Sequence, residues 1–324
     1  MRIKTRKLII FSFIISMFSL LVACDYLQSS INYSGDISDE SVNKPELSFI
    51  VMGDIHNNTN NFNKAIDDFY KINSKTDALI LNGDFVDEGT DEQYKSMRKV
   101  IDENINRLQE KVIINIGNHE FYNYNTESNS KEDIDNFTKK YLDFSGEEKV
   151  YHDTWINGYH FISLGSDNLT SEDFSNTQAS LSREQILWFR EKLKENYTQG
   201  RPIFVFIHQP ISTDFFGAQW YGIKQGDKIK EILNNYPEAI VFSSHTHKEF
   251  GEDSIEENMP YTTVYTGAIG YTLVKDEDSD NGRRRDISKN NSVYVEVNDD
   301  IVTIKERDIE NHKWVNSIEL AHKN

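Results

Sequence analysis

Short apolar runs alternate with segments of helical spacing through most of the chain. The runs Leu47 to Met52, Ala78 to Leu81, Lys111 to Ile116, Pro202 to Ile207 and Ala239 to Phe242 have strand length and read as buried strands. Between them, Phe62, Ala65, Ile66 and Phe69 predict a helix over Thr59 to Ile72. Met97, Val100, Ile101, Ile105 and Leu108 form the apolar stripe of a second helix, opened by Thr90 with Gln93 as a capping box. Ser182 and Gln185 repeat that device ahead of Ile186, Phe189 and Leu193, and Asp227 to Leu233 predicts a shorter helix. Two stretches break the alternation. Val150 to Trp155 and Tyr159 to Leu164 flank Ile156-Asn157-Gly158, a tight-hairpin signal. After Tyr261 the pattern is all-β: Thr262 to Thr266, Ser292 to Val297 and Ile301 to Glu306 alternate, with Asn298-Asp299-Asp300 as a turn. These predict a second sheet or sheet edge packed on the first. There is no internal repeat.

Most of the strand-like runs lead into residues of the types that can bind metal. They lead, in order, to Asp54-Ile55-His56, Gly83-Asp84-Phe85-Val86-Asp87, Gly117-Asn118-His119-Glu120, His208 and His245-Thr246-His247. Imidazole nitrogen and carboxylate oxygen suit divalent transition metals. Parallel strands deliver the loops at their carboxyl ends into one crevice, so the pattern predicts a polynuclear metal site on one rim. Asp84 has two oxygens with which to bridge ions, and Asn118 offers a carbonyl oxygen. Two ions about 3.5–4 Å apart clamp a phosphoryl group and acidify a bridging water. Any one motif is weak evidence, because Asp-x-His arises by chance and Gly-Asp at a strand end is commonly a turn. The ordered set carries the prediction.

The N-terminus changes the picture of location. Arg2, Lys4, Arg6 and Lys7 precede an apolar run, Leu8 to Ala23. The run is short for a span of about 20 residues and fits a secretory signal. It ends Leu21-Val22-Ala23-Cys24, which resembles the bacterial lipobox, with the single cysteine of the chain at the lipidation position. Residues 1–23 are therefore expected to be a lipoprotein signal peptide, 24–44 a polar tether, and 45–324 a single domain. The expected localisation is the extracytoplasmic face of a bacterial cell membrane, held by the lipid. One cysteine excludes an intrachain disulfide and a thiolate zinc cluster. The net charge of −18 argues against nucleic acid as a partner and leaves a small phosphate substrate open.

The five motifs together resemble the calcineurin-like metallophosphoesterase superfamily, with the likeness running from about Leu47 to Gly270. The resemblance implies a four-layer α/β/β/α sandwich with two packed mixed sheets. It also implies two divalent metal ions (Mn, Fe or Zn) and hydrolysis of phosphomono- or diesters by a metal-bridging hydroxide. Carried over by position, Asp54, His56, Asp84 and His247 hold the first metal. Asp84, Asn118, His208 and His245 hold the second, and His119 sits over the phosphate and assists the leaving alcohol. Asp87 stands where purple acid phosphatases have tyrosine, and Glu88 where protein Ser/Thr phosphatases have arginine. The motif set is most similar to bacterial class III cyclic-nucleotide and glycerophosphodiester phosphodiesterases. One departure is Ser244, where the family usually has glycine; serine is strained there if the backbone needs positive φ.

Other residues stay open on sequence alone. Glu120 is expected to orient the His119 imidazole, and Asp87 either braces a ligand or caps the following turn. Phe215, Phe216, Trp220 and Tyr221 either wall the substrate pocket, with Lys224 reaching a phosphate, or pack beneath a long loop. Arg283-Arg284-Arg285 reads as a solvated turn, with binding of a distal phosphate or a wall polymer as the other reading. Asn123 to Lys131 reads as a polar insertion near the site. His152, His160, His312 and His322 read as ordinary surface or core residues. The alternatives to a small-ester hydrolase are a nucleotidase or nuclease of the same fold, and a surface binding lipoprotein whose site has lapsed.

Overall fold

The computed structural model describes residues 44–125, 130–169, 177–211, 222–257, 259–279 and 282–320. The leader with Cys24, the tether, the Phe215 to Tyr221 segment and His322 lie outside the described residues. Pro45 onward forms one compact unit.

Strands β1 (Leu47–Met52), β2 (Ala78–Asn82) and β3 (Lys111–Asn115) run parallel, with helix α1 (Thr59–Ile72) between the first two and α2 (Asp91–Glu103) between the second and third. Helix α3 (Lys131–Ser145) leads to the hairpin of β4 (His152–Ile156) and β5 (Tyr159–Ser163). Next come α4 (Arg183–Lys194), β6 (Ile203–Phe206), α5 (Gly226–Leu233) and β7 (Ala239–Ser243). The remaining strands are β8 (Ile255–Glu256), β9 (Thr262–Tyr265), β10 (Thr272–Lys275), β11 (Arg283–Asp286), β12 (Asn291–Asn298), β13 (Ile301–Asp308) and β14 (Lys313–Leu320).

They form two six-stranded sheets, β14-β13-β12-β1-β2-β3 and β4-β5-β6-β7-β9-β8, and a separate β10-β11 ribbon. Both large sheets are mixed. The all-β tail divides between them: β9 lies parallel to β7 in the second sheet, while β12 lies antiparallel to β1 in the first.

Period-two alternation assigns the layers. From β1, Leu47, Phe49 and Val51 enter the core between the sheets, where Phe49 meets Phe161 at 5.1 Å and Phe204 at 4.8 Å between ring centroids. Ile50 and Met52 face the other way, onto a core with Phe62 and Phe69 of α1, Met97 of α2 and Phe137 of α3. On the far side of the second sheet, Val205 and Val241 pack with Phe189 of α4 and Ile229 of α5. The layers are helices, sheet, sheet, helices, the four-layer α/β arrangement.

Three local expectations change. Helix α2 stops at Glu103, so Ile105 falls beyond its end and is exposed. Both capping boxes are half-formed: Thr90 and Ser182 accept the expected amides, but the glutamine side chains go elsewhere. Gln93 accepts from Asp87 and Glu88 N–H, and Gln185 bonds both backbone groups of Gly165. A complete capping box forms at Ser130 and Asp133, opening α3, whose buried Ile134, Phe137, Tyr141 and Phe144 have helical spacing. Among the described residues, no helix is long and apolar enough to cross a membrane.

Candidate metal centre

The five motifs meet, but on two sheets instead of one. Asp54 and His56 follow β1, Asp84 follows β2, and Asn118, His119 and Glu120 follow β3; His208 follows β6, and His245 and His247 follow β7. The carboxyl ends of both sheets face one crevice, and His208 Nε2 of the second sheet lies 3.0 Å from Asp84 Oδ2 of the first. Backbone bonds lace the first loops together: Asp54 N–H to Gly83 O at 3.1 Å, and His56 N–H to Asp84 O at 2.9 Å.

The loops turn sharply to do this. Asp54, His56, Asp84, His245 and His247 all have left-handed backbone, with φ of 52°, 49°, 50°, 73° and 51°. Non-glycine residues adopt this region at a cost of order 1–3 kcal/mol each, and it concentrates at functional sites. Gly83 (φ 84°) shares it, and a Cβ there would lie 2.6 Å from the His208 ring.

Four imidazoles are held by Nδ1. His56 Nδ1 lies 3.0 Å from Asp87 Oδ1, His119 Nδ1 2.8 Å from Asp87 O, His208 Nδ1 2.8 Å from Asn82 O, and His247 Nδ1 2.9 Å from Tyr271 O. An imidazole that donates from Nδ1 turns Nε2 outward as the ligating nitrogen. The Nε2 atoms of His56 and His247 are 3.0 Å apart, and Asp54 Oδ1 is 3.2 Å from the latter. Asp54, His56 and His247 form one group able to hold a cation, and Asp84, His208 and His245 form another. Asp84 stands between them, its Oδ2 3.7 Å from His56 Nε2. Asn118 gives its Nδ2 hydrogen to the Tyr122 hydroxyl at 3.2 Å, while its buried Oδ1 accepts no hydrogen bond among the described residues; the same is true of Asp54 Oδ1. These donors fit divalent ions with nitrogen and oxygen preference. Asp87 gathers a third group with His56 and His119, but around nitrogens already engaged in orienting the rings. Its carboxylate lies against the back of the His56 ring.

The electrostatics describe a centre short of positive charge. Burial alone would raise Asp54 and Asp84, yet the neighbouring imidazoles, His247 foremost for the first and His208 for the second, hold both far below the carboxylate range. Burial opposes charge on His56 and His208 too, but hydrogen bonds to Asp54 and Asp87 lift His56 to about 10, and the Asp84 carboxylate lifts His208 to about 9. His245 drops to about 3 through burial and the His208 charge. Burial also lowers His119.

Glu120 does not orient the imidazole. Its carboxylate accepts the N–H groups of Gly117 (2.6 Å), Phe85 (2.7 Å), Asp84 (3.2 Å) and Val86 (3.4 Å), clamping the loops after β2 and β3. Its place inside the turn between the loops puts the backbone amides nearer than the ring. Burial and the Asp84 charge push Glu120 up to about 7. Ser244 is not among the residues of positive φ, so the strain expected of serine does not arise; the left-handed residue is His245. The Ser244 hydroxyl bonds Asn82 Nδ2 (3.1 Å) and Thr266 (2.7 Å), in space left by the missing side chain of Gly53. Asn82 also orients His208 through its carbonyl, a role sequence reasoning missed because an asparagine ending a strand carries no motif.

Tyrosines line the opening. Tyr271 stacks on His247 (4.0 Å, 10°), Tyr122 lies 4.4 Å from the His119 ring, and the Tyr124 hydroxyl lies 3.4 Å from His119 Nδ1. Residues 283–285 are strand β11, not a solvated turn: β10 pairs with them along Leu273–Arg285, Val274–Arg284 and Lys275–Arg283. Lys224 is exposed. His160 bonds Asp153 at 2.9 Å and His312 bonds Asp68 at 2.6 Å, both outside the motif groups, as ordinary structural residues.

Comparison with known proteins bears on the fold and the family. A probable glycerophosphodiester phosphodiesterase, GpdQ, from Arcobacter nitrofigilis is 24% identical over 179 residues, covering 54% of this chain and 58% of that relative. A dimetal phosphatase from Danio rerio superposes with a TM-score of 0.58 at 12% identity, over 86% of this chain and 100% of the other. A purple acid phosphatase from yellow lupin (Lupinus luteus) gives a TM-score of 0.59 at 13% identity, over 85% and 53%. At such identities the structural likeness speaks to fold. The calcineurin-like phosphoesterase family model matches residues 47–249, which span all five motifs, and the chain belongs to that family.

Proposed function

We propose that the protein hydrolyses phosphate esters with two divalent cations. Asp54, His56, Asp84 and His247 hold one, and Asp84, Asn118, His208 and His245 hold the other. The observation that carries this reading is the convergence of Nε2 atoms on Asp54 and Asp84, with the His56, His208 and His247 rings fixed from behind through Nδ1. When bound, the cations supply Lewis acidity to the phosphoryl oxygens and to the attacking water.

The chain's own groups do the rest. The acceptors behind the rings hold the nitrogens in place before substrate arrives, which lowers the cost of organising the centre. The backbone N–H of His119 donates to Asp84 Oδ1 at 2.9 Å, so this residue is tied to the carboxylate between the two groups. With Nδ1 hydrogen-bonded to the Asp87 carbonyl, a proton on Nε2 makes the ring cationic. Burial disfavours that cation in the free protein, and an arriving phosphate anion favours it. His119 therefore takes up its Nε2 proton with substrate and delivers it to the departing alkoxide.

The name of the Arcobacter relative favours diesters as substrates. The lipobox-like Cys24 and the basic, apolar leader favour a lipid anchor with the site outside the cytoplasm. The test is metal analysis of purified protein beside a hydrolysis screen of mono-, di- and pyrophosphate esters with added Mn²⁺. Two equivalents of metal and chelator-sensitive turnover are expected. A protein that loads no metal and cleaves none of the panel refutes the proposal.

A further inference from the structure

The β10-β11 ribbon bears on which esters the centre accepts. It begins at the residue after Tyr271, the ring stacked on His247. Strand alternation sends neighbouring arginines of β11 to opposite faces. Arg284 reaches Asp286, at 3.2 Å, on its own strand. The Arg285 guanidinium instead lies 4.5 Å over the Tyr271 ring, so one tyrosine joins it to an imidazole of the centre. Arg285 is exposed, and among the described residues no carboxylate forms an ion pair with it. The same Tyr271 ring lies 5.3 Å from His56, and His56 lies 4.3 Å from His119 between centroids, so Arg285 stands on the side of the centre where His119 stands. A guanidinium held over an aromatic face by its charge still has N–H groups to offer a carboxylate or phosphate. In a chain of net charge −18, a positive group at this mouth whose charge no carboxylate among the described residues pairs calls for an anionic partner.

We propose that Arg285 is a specificity-determining residue, receiving an anionic group carried by the alcohol portion of the ester, on the side where His119 meets the leaving oxygen. The proposal rests on the phosphoesterase reading of the site. It predicts a preference for esters whose alcohol bears a carboxylate or a second phosphate over neutral analogues.

The experiment compares 3-phosphoglycerate with glycerol 3-phosphate, whose alcohols differ by a carboxylate, using the metal-loaded full chain; if only diesters are cleaved, the methyl diesters of the same pair serve. The unaltered protein should favour the carboxylate-bearing ester, chiefly through KM. Arg285→Ala should lower the ratio of the two kcat/KM values about tenfold, the loss of one charge-assisted contact, and Arg285→Lys should restore part of it. Hydrolysis with an unchanged ratio in Arg285→Ala, or an equal loss on both esters as a purely structural stacking role would give, overturns the inference and leaves the phosphoesterase reading standing. No hydrolysis of any ester by the unaltered protein overturns both.

Discussion

His56 and His247 point Nε2 at Nε2 across 3.0 Å, while their Nδ1 atoms lie against Asp87 and the Tyr271 carbonyl. Two imidazole lone pairs aimed at one point repel unless a proton or a metal cation sits between them. Asp54 Oδ1, 3.2 Å from His247 Nε2, adds negative charge at the same place. The two rings lie 191 residues apart in the chain, on loops that follow strands of different sheets, so the fold itself brings them together and a proton or a cation must fill the gap.

Protons and metal therefore compete for these nitrogens. In the metal-free protein His56 is raised to about 10 and His208 to about 9, so near neutral pH both carry protons that a metal must displace. Metal affinity should rise steadily from pH 6 through 9, with proton release on binding, as read by calorimetry in buffers of different ionisation enthalpy. The same shifts set stability. A histidine raised on folding stabilises below its unfolded pKa, near 6.5, and loses that contribution as pH climbs through the folded value. Chelator-treated protein should melt progressively lower between pH 7 and 10, and metal-loaded protein much less so. A flat Tm in the metal-free form contradicts this account.

Asp84→Asn should keep the fold, because an amide oxygen still accepts the His119 N–H. It removes the charge shared by the two proposed ion sites. Turnover should drop about 10³-fold, consistent with several kcal/mol of lost charge stabilisation, and metal content should fall below two per chain. Purified variant with near-normal turnover would sink the assignment of Asp84.

Glu120→Gln tests the clamp. An amide presents one oxygen and turns an NH₂ toward backbone donors that now meet carboxylate. Above the raised Glu120 value of about 7, where the carboxylate is ionised, losing charge-assisted bonds in a buried place should cost about 2–3 kcal/mol in urea unfolding, with metal affinity reduced as the Asp84 loop loosens. A midpoint equal to the parent protein would show that the clamp is dispensable.

Ser244→Gly restores the residue usual in the family and should destabilise this chain. It strips a hydroxyl from Asn82 and Thr266 in a fully buried place, at a cost of about 1–3 kcal/mol. If the variant is as stable as its parent, the hydroxyl network contributes nothing.

The strands, and the ligand-type residues that end them, are legible along the chain. Apolar runs of strand length mark β1, β2, β6 and β7 because both faces of those strands are covered, and ligand residues at their ends are visible because loops follow strands in order. Helix α3 has a local signal as well, in Ser130, Asp133 and the Ile134, Phe137, Tyr141, Phe144 spacing, although the polar stretch before it reads as an insertion. Only the tertiary structure decided that the motifs divide between two sheets, since pairing partners such as β12 with β1 lie far apart in the chain and local pattern holds no record of them. It also decided which atoms stand behind the ligands. Glu120 on backbone amides, the Asn82 and Tyr271 carbonyls on imidazoles, and Arg285 on a tyrosine ring are contacts fixed by loop geometry and left-handed turns. Backbone acceptors belong to every residue alike, so no choice of amino acid announces them.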